Sequence, residues 1–73
     1  MVRVPNCKME TRTGFISLVP SHSGRGGAEA FDRSVRAFLR EHREFEVLEE
    51  QRSSRYGVEL LESVILLDAE TSN

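Results

Sequence analysis

The residues whose types and spacing suggest chemistry lie between Pro20 and Ala28. The run Pro-Ser-His-Ser-Gly-Arg-Gly-Gly-Ala follows an apolar segment, residues 14–19, and opens an amphipathic one. A strand that passes through glycines into a helix aims backbone N–H groups at one spot. The positive end of the helix dipole lies at the same spot, and together they form an anion site. Ser23, Gly24, Arg25, Gly26, Gly27 and Ala28 are the candidate cradle, with the Arg25 guanidinium as partner for a phosphate oxygen. The plain alternative is a connection that caps the helix. No Gly-Lys-Ser/Thr follows, so this is not the nucleoside-triphosphate loop. No acidic residue follows at the distance the dinucleotide fingerprint needs.

Other candidate groups are sparse. Cys7 is the one cysteine, and with only His22 and His42 no standard metal-ligand spacing can be built. His22 stands between Ser21 and Ser23 with no acid nearby to orient the ring, so it reads as an exposed loop residue rather than a base. Cys7 reads as an incidental thiol in a loose arm. One unpaired cysteine and the absence of a visible signal peptide or 20-residue apolar run point to a cytoplasmic protein without a membrane span.

These residues need a scaffold. The chain has 73 residues, room for one domain. The expected fold class is α+β, a small single domain over 14–68 built on β-α-β with a C-terminal short helix and/or strand. Residues 1–13 would be a flexible arm or edge strand and 69–73 a frayed tail. The first strand is expected over 14–19, ended by Pro20. The helix runs from Ala28 to about Arg43. Its apolar stripe is Ala28, Phe31, Val35, Phe38, Leu39 and His42, at 3.6-residue spacing. Glu29 and Asp32 fall in the first turns, i,i+4 from Arg33 and Arg36. The second strand, Phe45 to Leu48, would run parallel to the first, and residues 49–55 read as strand end and loop. Residues 56–67 fit either a helix or a bulged strand. A short helix over 56–63 followed by a strand over 64–68 satisfies both signals.

Charge supplies two further candidates. The net charge is −2, which argues against nucleic acid as a partner. Nine of the ten basic residues are arginines, and Arg33, Arg36, Arg40 and Arg43 share a helix sector away from the apolar stripe. They form a handle for an acidic partner or for phosphates, or else a solvated face. The acids Glu44, Glu46, Glu49, Glu50, Glu59, Glu62, Asp68 and Glu70 would give a negative surface of the kind that occupies a nucleic-acid groove on a partner. Ordinary solubility is the plainer reading of them.

Pro20 to Ala28 resembles the pyrophosphate-binding signature of the GNAT acetyltransferases, in which a strand ends in Pro-x-x-Arg/Gln-Gly-x-Gly-x-Gly/Ala and opens a helix. Leu60-Leu61-Glu62-Ser63 is similar to that family's later Leu-Tyr-Glu-Lys segment. The resemblance covers about residues 14–67, the C-terminal half of such a domain. It implies acetyl-CoA or CoA bound through residues 23–28. Ser23 departs from the family's Arg or Gln, Leu61 stands where a thiolate-protonating tyrosine often sits, and the family's N-terminal elements have no counterpart.

The expected function is a small non-enzymatic binding protein, a regulator or inhibitor of a macromolecular partner such as a phage or mobile element encodes. It requires no cofactor. A protein partner is expected, and the small size favours a homodimer or a bound partner over an isolated monomer. The alternatives are a degenerate GNAT-like fragment holding CoA and, more weakly, RNA binding through the arginine face.

Overall fold

A computed structural model of the chain describes residues 3–68. The elements run β1 (Cys7–Arg12), β2 (Phe15–Pro20), α1 (Gly24–Glu41), β3 (Phe45–Arg55) and β4 (Val58–Asp68). The four strands form one antiparallel sheet in the order β1-β2-β4-β3, with α1 packed on β2 and β4. The protein is a small α+β fold.

The helix stripe read from the sequence is the face that packs. Phe31, Val35 and Phe38 are buried, and Leu39 packs at the margin. They meet Ile16 and Leu18 from β2 and Leu61, Val64 and Leu66 from β4. Ile16 pairs with Leu66 and Leu18 with Val64, so one row of β2 and one row of β4 point at the helix. Val4 closes the core from the N-terminal side. The helix ends in an aromatic cluster. The His42 ring stacks on Phe38 with centroids 4.7 Å apart, and Phe38 lies 5.1 Å from Phe45. The His42 amide donates to the Phe38 carbonyl at 2.8 Å and closes the last turn.

Of the two readings for residues 1–13, residues 7–12 take the edge strand, because every residue from Cys7 to Arg12 has a partner in β2 and β1 lies at the edge of the sheet. Three sequence expectations change. The helix starts at Gly24 and stops at Glu41, so Arg43 is off it. Its first turn then carries no acid, and Glu29 and Asp32 sit further along. Residues 49–55 are strand rather than loop. They read as loop because β3 is an edge strand, exposed along nearly all its length, and has no apolar alternation to show. Residues 56–63 are not a helix. Tyr56 and Gly57, at φ 56° and 75°, form a two-residue turn between Arg55 and Val58. Two positive φ values in a two-residue loop match the hairpin turn that follows strand twist. The register slips between Gln51 and Arg52, where two residues of β4 span one step of β3. That bulge shifts the apolar phase and leaves Leu60 and Leu61 both buried, imitating helical spacing.

The expected β-α-β unit keeps its strand directions but not its pairing. β2 and β3 both lie antiparallel to β4 and so run the same way, with β4 inserted between them. Among the described residues no helix is long and apolar enough to cross a membrane. The tail expected to fray, 69–73, and with it Glu70, falls outside the described residues.

Phe31 is fully buried at the centre of the helix–sheet contact. Truncating it is expected to cost about 3–5 kcal/mol. A domain this small holds on the order of 4–10 kcal/mol in total. Phe31→Ala should therefore show a sharply lowered urea midpoint, whereas Val58→Ala, on an exposed side chain beside the hairpin turn, should shift it little.

Candidate functional site

The β3–β4 hairpin continues beyond the last β2–β4 pair, Leu18 with Val64. Its projecting end faces the junction between β2 and α1. Between them lies a groove of about 510 Å³. Ser21, His22, Ser23 and Gly24 form one wall with Ala28. Leu60, Leu61 and Tyr56 give the other an apolar surface. Lys8 and Arg55 bring positive charge, and Glu62, 3.6 Å from Arg55, brings the one acid. Ser53 also lines the groove. Its hydroxyl oxygen is buried and has no hydrogen-bond partner among the described residues.

The N-terminus of α1 opens at this groove. Ser23 is the N-cap residue in extended geometry, φ −84° and ψ 169°, and its side chain makes no capping hydrogen bond. The first-turn N–H groups have no intrahelical acceptor and carry the positive end of the dipole. Lys8, Arg55 and this helix end surround one space that suits an anion. The apolar wall would take an uncharged portion of the same ligand.

The six residues singled out from the sequence divide. Ser23, Gly24 and Ala28 line the groove. Arg25, Gly26 and Gly27 do not, because the helix begins at Gly24 and carries them round its first turn. Arg25 is turned along the helix onto Glu29, at 3.2 Å. Gly27 has a packing role. A Cβ there would collide with the His22 carbonyl oxygen, so glycine lets the loop backbone close on the helix. Gly26 meets nothing within 4 Å. The residues sequence reading did not single out are Lys8, Ser53 and Arg55. The hairpin turn brings Ser53 and Arg55 here, and the Tyr-Gly step was the available signal for it.

The arginine group also divides. Arg33, Arg36 and Arg40 are exposed on α1, and Arg43 lies in the connection to β3. Arg36 pairs with Asp32 at 2.9 Å, as the i,i+4 spacing predicts, and this keeps its guanidinium pKa raised. Glu29 goes to Arg25 rather than Arg33. Arg33, Arg40 and Arg43 enter no ion pair among the described residues. Past the helix end, Glu44 has a pKa below the usual carboxylate range. Its own backbone N–H is the main cause, followed by the His42 ring at 3.1 Å. A depressed carboxylate stabilises the fold above its unfolded pKa, and that contribution disappears as pH falls through the folded value.

Cys7 is half-buried beside the core, and burial pushes its thiol pKa up to about 11. Among the described residues no group of three or more metal-ligating side chains comes together. Comparison with protein-family models, with curated proteins and with solved structures returns no match for the chain.

Two measurements test this geometry. Gly27→Ala should lower the unfolding midpoint by the equivalent of about 2 kcal/mol or more, because the His22 backbone must move. Gly26→Ala should raise stability by about 0.5–1 kcal/mol through helix propensity alone. For Cys7, alkylation at pH 8 should run about 100-fold slower in the native protein than in urea, as the thiolate fraction falls with the raised pKa. The sign follows. A raised thiol pKa favours the fold below about pH 9, and the benefit is lost as pH rises toward about 11.

Proposed function

We propose that this chain is a small binding protein whose ligand site is the groove between the N-terminus of α1 and the β3–β4 hairpin. The ligand is an anion, most naturally a phosphate-bearing molecule with an apolar portion. The observation that carries this reading is the uncapped first turn of an 18-residue helix opening on a groove that also holds Lys8 and Arg55. The apolar wall of Leu60, Leu61 and Tyr56 supports a ligand larger than a bare ion.

The GNAT resemblance gives the ligand a specific form, acetyl-CoA or CoA. Ser23, Gly24 and Ala28 fit a pyrophosphate at the helix end, and the groove is roomy enough for part of a pantetheine arm. The fit is to the phosphate, and any pyrophosphate-bearing molecule shares it. No acetyl transfer forms part of the proposal.

Regulation of a macromolecular partner is the second reading, favoured by the exposed positive face of α1. Arg33 and Arg40 project from it without an acidic partner among the described residues, so the face suits an acidic protein surface.

An amide-resolved NMR titration separates these. Inorganic pyrophosphate and CoA should each shift Ser23, Gly24 and Ala28. Arg55→Glu should weaken both by about tenfold, the loss expected for one charge-assisted contact. Shifts with CoA at pyrophosphate-insensitive positions would remove the anion from the proposal. A folded sample with no shifts from either would overturn the groove reading and leave the arginine face.

A further inference from the structure

The sheet has two faces and α1 covers one. Cross-strand register fixes what lies on the other. Ile16, Leu18, Val64 and Leu66 point at the helix, so their neighbours Phe15, Ser17, Val19, Ile65 and Leu67 point away. Phe15 is 46% exposed and Val19 38%, while Ile65 and Leu67 are half-buried. The middle of the open face is therefore an apolar strip, with charged residues on both flanking strands.

The charges are not symmetric. Arg12 pairs with Phe15, Phe15 with Leu67 and Leu67 with Glu46. One row across the sheet reads arginine, phenylalanine, leucine, glutamate. The β1 flank of this face carries Lys8, Glu10 and Arg12, and the β3 flank carries Glu46, Glu49 and Gln51. The first is net positive and the second carries two negative charges.

We propose that this open face is the interface of a homodimer, packed face to face with a second copy about a two-fold axis parallel to the strands. Rotation about such an axis reverses each row. Arg12 then lies over the partner's Glu46, and Phe15 over the partner's Leu67, with the same two contacts repeated on the other side. An axis across the strands would instead set the β1 flank over the partner's β1 flank and the acidic β3 flank over the partner's β3 flank, so the charges favour the axis along the strands. The next row has an acid at each end, Glu10 and Glu49. Glu10 is already held by Arg12 at 3.0 Å, and Lys8 supplies a second cation to that flank. A self-complementary patch is what a two-fold interface requires. An apolar centre with a charged rim is how such interfaces are built. The proposal does not rest on the groove: Lys8 borders both, but the contacts that set the axis are those of Arg12, Phe15, Glu46 and Leu67, none of which lines it.

Sedimentation velocity over a concentration series tests it, with circular dichroism as the fold control. The wild-type chain should sediment as a dimer. Phe15→Asp should be a folded monomer. Arg12→Glu and Glu46→Arg should each weaken the dimer by about tenfold or more, and combining them should restore it to within about threefold. A wild-type monomer at several hundred micromolar, on the order of the weakest specific interfaces, overturns the proposal. So does a dimer indifferent to Phe15→Asp, which would place the contact elsewhere, for instance along the exposed edge of β3. A double variant no tighter than the single ones would overturn the axis.

Discussion

The structure depends on burying one stripe of α1 against one row each of β2 and β4. Phe31, Val35 and Phe38 supply the helix side, and Leu18, Val64 and Leu66 lie against them with almost no exposure. A chain of this length has material for one such core and little beyond it. The sheet order follows from that economy. Placing β4 at the centre gives its apolar residues two neighbours and the helix, while the more polar β1 and β3 take the edges. The edges are blunted by charge and by the two register shifts in the β3–β4 pair, which hinder the addition of further strands.

The same packing creates the groove. The core ends near Leu60 and Leu61, but the hairpin carries on to Tyr56 and Gly57, held by its own ladder and turn. Opposite it, the chain must leave β2 and start a helix within three residues, and Gly27 permits this by letting the His22 backbone sit against the first turn. A projecting ribbon on one side and a helix end on the other leave a space that neither element fills. The polar character of that space follows from the helix end and from Arg55 at the base of the turn.

How much of this was legible in the sequence varies by element. The stripe of α1 was clear because an amphipathic helix states its periodicity in consecutive residues, and Phe31, Val35 and Phe38 are where that period places them. Phe15 to Pro20 was clear as an apolar run. The site was half legible: Ser23, Gly24 and Ala28 are at the groove, whereas Arg25 and Gly26 are not, because the position at which the helix begins rotates them away. Lys8, Ser53 and Arg55 were invisible as site residues, since they come from two other strands and only the register brings them near the helix.

The sequence by itself determined the composition of the core, the existence of the helix and the class of fold, since apolar periodicity and local propensity act over a few residues. The tertiary structure decided the nature of residues 49–63 and the order of the strands. An exposed edge strand has no apolar alternation, and a bulged central strand spaces its leucines as a helix does, so neither declares itself locally. Their conformation is set by hydrogen bonds to partners far along the chain. The same long-range pairing aligned Arg12 with Glu46 across the sheet, 34 positions apart in sequence, and brought Arg55 to the end of α1.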